Sequence, residues 1–143
     1  MYDVNYLAVI VSAIAFFALG SLWYTDILFG KAWRDSMDKT DEEFEKERAN
    51  INMTKSFGLM FLSGLLMAFV TAFLVDIVAN AYLGANNIKL GLITGFWVWL
   101  GYIASYVLTA VAFENRPWKY YFINTGYWLV GALMMGVILT VWK

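Results

Sequence analysis

The chain has 143 residues, 62% of them hydrophobic and 15% charged, with a formal net charge of -1. That balance leaves too little polar surface to cover a water-soluble globule of this size, and it offers no dense basic surface of the kind a nucleic-acid partner needs. With no Cys and no His, the sequence excludes disulfides, thiolate and imidazole metal ligands, histidine-ligated haem and Cys-His catalysis, and no cofactor or metal is expected.

A bilayer core is crossed by about 20 consecutive apolar residues in a helix, because the backbone there must satisfy its own hydrogen bonds. Stretches at 4–24, 56–79, 90–113 and 120–142 qualify, and within them only Asp76 is charged. The expectation is an all-α integral membrane protein, a single transmembrane domain over 1–143 with four helices in a compact bundle. A cleaved leader ending at Ala18-Leu19-Gly20 is the competing reading of the first stretch. It fits less well, because no Lys or Arg precedes the stretch and the apolar run is longer than a signal core.

The polar segment 26–55 follows, with six of the ten basic and eight of the eleven acidic residues. Phe29, Trp33 and Met37 recur at fours, Phe44 and Ile51 follow at sevens, and Thr40-Asp41-Glu42-Glu43 has capping-box spacing, which predicts two short amphipathic helices meeting near Lys39. Their apolar stripe is expected in the headgroup region with Trp33 as anchor. Lys31/Asp35, Asp35/Lys39 and Glu42/Lys46 would pair on the wet face; an ordinary solvated hairpin is the plainer alternative.

Small residues at intervals of four mark helix contact faces in lipid. Gly64/Ala68/Ala72 form one in the second span. The third span carries Gly91 and Gly95, with Gly101, Ser105 and Thr109 at the same spacing, and the fourth carries Ala132/Gly136. The chain is expected to form a homo-oligomer through this third span, using Gly91, Gly95, Gly101 and Ser105, with packing of Gly91 and Gly95 inside the monomer as the alternative. Pro117 falls between the third and fourth spans, where it fixes a tight turn at 114–117.

Aromatics make up 19% of the chain. Tyr2, Tyr6, Trp23, Tyr24, Tyr82, Trp118, Tyr120, Tyr121 and Trp142 read as an interfacial belt. Trp97, Trp99, Tyr102, Tyr106, Tyr127 and Trp128 lie deeper, forming either a packed aromatic core or the lining of a cavity for an apolar ligand or lipid tail. Depth sorts the polar residues into an outer layer of Asn5, Asp76 and Asn80 and an inner layer of Asp26, Glu114, Arg116 and Asn124. The simplest account of Asp76 is a carboxylate near water that caps a loop or bonds Asn5, and of Arg116 a clamp to Glu114 or Asp26.

Orientation follows from counting Lys and Arg. Lys31, Arg34, Lys39, Lys46, Arg48, Lys55, Arg116 and Lys119 fall on one side, against Lys89 and Lys143 on the other. This predicts a multi-pass protein of the cell inner membrane, with loops 26–55 and 114–119 cytoplasmic and both termini and the loop at 84–89 outside.

Asn5-Tyr6-Leu7-Ala8-Val9, Gly20-Ser21-Leu22-Trp23-Tyr24 and Phe29-Gly30-Lys31-Ala32-Trp33 resemble the opening of a small prokaryotic membrane family known as domain of unknown function seventeen sixty-one. Trp99-Leu100-Gly101, Arg116-Pro117, Asn124-Thr125-Gly126-Tyr127 and the ending from Gly136 to Trp142 are similar to its second half. The resemblance covers nearly the whole chain and implies a four-helix membrane fold with no established activity. The first loop is longer here than in that pattern, so the resemblance implies nothing about its role.

Three function classes are weighed. A non-catalytic module that binds membrane lipid or an apolar small ligand, or assembles in the membrane, fits the aromatics and small-residue faces. A homo-oligomeric transporter or channel for small solutes or ions is the alternative, although the first span lacks the mid-bilayer carboxylate that small multidrug carriers of similar size use. An enzyme is least expected, since no acid, base and nucleophile converge on one layer and no catalytic residue is assigned.

Overall fold

The computed structural model describes residues 4–81 and 87–142. Tyr2, Tyr82, Lys143 and residues 84–86 of the 84–89 loop lie outside them. Among the described residues the chain forms α1 (Tyr6–Trp23), α2 (Gly30–Asp35), α3 (Asp41–Ala49), α4 (Met53–Ala81) and α5 (Ile88–Val98), then a π-helical segment (Trp99–Ala104), α6 (Ser105–Phe113) and α7 (Trp118–Val141). α5, the π segment and α6 make one continuous third span, Ile88–Phe113. With α1, α4 and α7 it is one of four helices among the described residues that are long and apolar enough to cross a membrane.

Register shows how the spans run. Tyr6 stacks on Phe69 at a centroid separation of 6.4 Å while Phe17, three turns on, lies edge-on to Phe57 at 5.7 Å, which sets α1 antiparallel to α4. On α7, Gly131 packs on Phe16 while Ile123 accepts from the Trp23 indole, so α1 and α7 are also antiparallel. Gly91 faces Gly136 and Gly95 faces Ala132, which makes α5 and α7 antiparallel in turn. α7 packs against each of the other three spans and is the most buried: 44% of its most apolar 18-residue stretch is covered, against 6% for the third span.

The core is built by one large ring fitted into gaps that glycines leave. Phe16, 1% exposed, lies against Gly64 of α4 and Gly131 of α7, where added side chains would meet its ring. Tyr127 stacks on it at 4.8 Å and Trp128 at 5.1 Å, and the Tyr127 hydroxyl donates to the Phe16 carbonyl at 3.3 Å. Lipid tails are as apolar as Leu, so such contacts hold a membrane bundle through dispersion rather than through removal from water.

The small-residue stripe of the third span divides in two. Gly91 and Gly95 are used within the chain, since a Cβ at either would run into the Gly136 or Ala132 carbonyl, whereas Gly101 meets nothing and Ser105 is exposed. The expectation of a single face over Gly91, Gly95, Gly101 and Ser105 is therefore corrected. Six residues of α-helix turn the chain by about 600°, or about 240° from the Gly95 face, and the π segment shifts the phase further. Its Trp99 indole ties the span to α7 by donating to the Thr125 carbonyl at 2.8 Å.

Candidate functional site

The first loop folds back onto its own bundle. After α1 the Phe29 amide donates to the Trp23 carbonyl at 3.1 Å and the Gly30 amide to the Thr25 carbonyl at 2.8 Å. Gly30 starts α2 so close to the Tyr24 carbonyl that a Cβ there would collide with the backbone. This sharp return places Trp33 edge-on to Tyr24, with centroids 5.2 Å apart, and lets Phe44 of α3 close on its other side at 5.8 Å. Tyr24 is itself anchored to α7, because its hydroxyl donates to Asn124 Oδ1 at 2.9 Å while Asn124 Nδ2 donates to the Tyr120 carbonyl at 2.9 Å.

Sequence periodicity thus located the two loop helices, and the capping box at Thr40 and Glu43 is present. The expected headgroup anchor Trp33 is instead half-buried between Tyr24 and Phe44, because the sharp return at Gly30 gives the apolar stripe a partner within the chain. Glu42–Lys46 forms at 2.9 Å. Lys39 pairs with Glu47 at 2.6 Å rather than with Asp35, since α2 ends at Asp35 and Asp38 takes a left-handed φ of 53° between the two helices.

Beneath α2 and α3 this fold-back encloses a cleft of about 770 Å³ against the ends of α1 and α4, within the roughly 300–1,000 Å³ usual for small-molecule sites. Gly20, Phe57 and Met60 line it on the bundle side, Trp33, Phe44 and Ile51 on the loop side. The charged groups on it are Arg34, Lys39 and Arg48 with Asp26 and Glu47. Arg34 bonds Asp26 at 2.8 Å, Lys39 is bound to Glu47, and Arg48 has a loose contact of 3.8 Å to Glu45. The Trp33 indole N–H is buried and has no hydrogen-bond partner among the described residues.

The inner polar residues fall into separate small units. Asp26 pairs with Arg34 at 2.8 Å. Arg116 lies 3.5 Å from Glu114 and over the Tyr120 ring at 5.5 Å, and Asn124 belongs to Tyr24. At the other end, Asn5 Oδ1 is used to cap α1, accepting from the Leu7 and Ala8 amides at 3.0 and 3.1 Å. Asp76 is buried, with 5% exposure, and one of its interactions is with the Asn80 amide, which donates at 3.2 Å.

The six deep aromatics do not line one cavity. Trp97, Tyr102 and Tyr106 are 62%, 78% and 75% exposed on the outer surface, Trp99 is bonded to α7, and Tyr127 and Trp128 pack on Phe16. They divide because the third span lies at the edge of the bundle and turns most of its rings outward. Sequence reasoning missed the buried hydroxyls of Ser12 and Thr94, neither with a hydrogen-bond partner among the described residues, and of Thr71; their signal was small polar residues inside apolar runs. It also missed the cleft, whose signal was an apolar stripe directly following a Gly-bounded turn.

An up-and-down bundle of four apolar helices with its polar loop docked at one end defines a multi-pass α-helical membrane protein. Residues 7–140 match the family described as Protein of unknown function (DUF1761), and the chain belongs to that family. Searches of curated proteins and of solved structures each found no match.

Proposed function

We propose that the chain is a non-catalytic membrane module that binds a lipid-like amphipathic molecule in the cleft between its bundle and its first loop. The observation that carries the reading is the cleft itself: apolar walls reach down to Met60, while charged groups line it where the loop helices cover it. Seven residues of helix from Met53 to Met60 span about 10 Å, a depth suited to the first part of an acyl chain. The reading takes the inner membrane as the location, with this end cytoplasmic and the termini outside, on the strength of the eight-to-two bias in basic residues. It also includes self-association through the outward face of the third span around Gly101 and Ser105, where small side chains leave room for a second backbone.

The test is to purify the protein in a mild detergent and identify retained molecules by native mass spectrometry, beside Ser21→Trp, which places a large ring in the cleft wall. A retained amphiphile that Ser21→Trp loses is the expected result. If that variant retains it equally, or the wild type holds none even when lipids are added, the reading fails. A homo-oligomeric carrier is the second reading, supported by the buried polar side chains Ser12, Thr94 and Asp76 within the bundle. Flux of simple ions or lipophilic cations into liposomes that Asp76→Asn abolishes, with folding intact, would favour it.

A further inference from the structure

We infer that the cleft selects an amphiphile whose head is an oxyanion, a carboxylate or a phosphate, with Arg48 and the Trp33 indole N–H as the groups that meet it; this rests on the reading of the cleft as an amphiphile site. The argument is one of unequal donors and acceptors. Of the three cations lining the cleft, Arg34 and Lys39 each hold a carboxylate at hydrogen-bond distance, Asp26 at 2.8 Å and Glu47 at 2.6 Å, and these two carboxylates are the acids in the lining. Arg48 is left over. Its contact to Glu45, at 3.8 Å, lies beyond hydrogen-bond range, and Glu45 is not one of the residues that line the cleft.

Trp33, a lining residue, adds a second donor, one that its neighbours cover until a head group displaces them. Its ring is clamped between Tyr24 and Phe44, and its buried N–H has no acceptor among the described residues. A buried donor without a partner is costly and is met in native proteins where a ligand or ordered water completes it. A cleft with a net surplus of one cation and one N–H favours a guest that brings lone pairs and negative charge and carries no donor of its own. A guanidinium can hold a carboxylate or phosphate through two parallel bonds, which a neutral glyceride head cannot reproduce. Below the head, Phe57 and Met60 offer an apolar track for the chain.

The test uses the full chain in maltoside micelles, titrated separately with oleate, oleoyl lysophosphatidate, monoolein and inorganic phosphate. Bound adducts are counted by native mass spectrometry for the wild type, Trp33→Phe and Arg48→Gln. Retention of oleate or lysophosphatidate at least tenfold above monoolein is expected, and the better retained of the two identifies the head. Arg48→Gln, on an exposed stretch of α3, should cut that preference at least threefold without changing monoolein retention; Trp33→Phe, which keeps a ring in place, should do the same. Equal retention of oleate and monoolein by the wild type overturns the selectivity and leaves the amphiphile site standing. Retention of none of the lipids overturns both. Inorganic phosphate bound as tightly as the lipids makes this a plain anion site and overturns the amphiphile, and a preference that survives both substitutions removes Arg48 and Trp33 from the head.

Discussion

Glu43 donates its charge to a cap. Its carboxylate accepts from the Thr40 amide and hydroxyl, both at 2.9 Å. First the backbone bond and then the side-chain bond hold its acidity below the ordinary glutamate value, with Lys39 adding a smaller pull in the same direction against a small opposing effect of burial. Because the folded value is depressed, the cap's contribution is complete above the ordinary value of 4.5 and is lost as pH falls through the lower folded one. Amide exchange in α3 should therefore quicken at acid pH. Thr40→Ala should quicken it about fivefold at neutral pH, the size expected for a lost N-cap, and flatten the acid response; an unchanged exchange profile would show that the cap does not hold the helix. Two glycines of the third span offer a contrast at the same scale. Gly91→Ala drives a methyl into the Gly136 carbonyl and should lower the melting temperature in detergent, by about 1–3 kcal/mol of stability, as overpacking does. Gly101→Ala, in open space, should leave it unchanged or raise it.

At the scale of elements, the third span is the least buried and rests on few fixed points. Trp99→Phe keeps the ring but removes the bond to the Thr125 carbonyl; about 1 kcal/mol should be lost, read as a lower unfolding midpoint in mixed detergent. An unchanged midpoint would mean that the bond is replaced. The spans themselves were legible in the sequence because twenty apolar residues have few other uses, and the loop helices were legible because Thr40 and Glu43 stand at capping spacing. What each face touches was harder to read. The stripe Phe29, Trp33, Met37 is equally suited to lipid headgroups and to protein, and only the return at Gly30 decides for protein. The run Gly91, Gly95, Gly101 could have been divided from sequence alone, since a six-residue step cannot stay on one α-helical face. The fates of Tyr102 and Tyr127 could not, because tyrosines at similar depth differ only in whether their helix sits at the edge or the centre of the bundle.

For the whole molecule, orientation in the bilayer is the property to establish first, because it decides which leaflet the cleft can reach. A cysteine at Glu43 should be shielded from an impermeant thiol reagent in intact cells, while one at Ile88 should react. The reverse pattern would turn the molecule over and open the cleft to the other leaflet. The π-helical stretch of the third span has a consequence of a different kind. Residues on one side of it are keyed to α7 by Gly91 and Gly95, those on the other by the Arg116-Pro117 corner, and the wider turn between takes up the angular difference. The segment works as a slack link that holds one residue more than an α-helix would. Deleting Leu100 would let it relax to ordinary α-helix, whose tighter winding makes up for the missing residue and leaves the phase of everything after it nearly unchanged. A deletion within α5 or α6 has no such reserve and would turn the rest of the span by about 100°, so losing Leu100 should lower the unfolding midpoint less than losing Ile93.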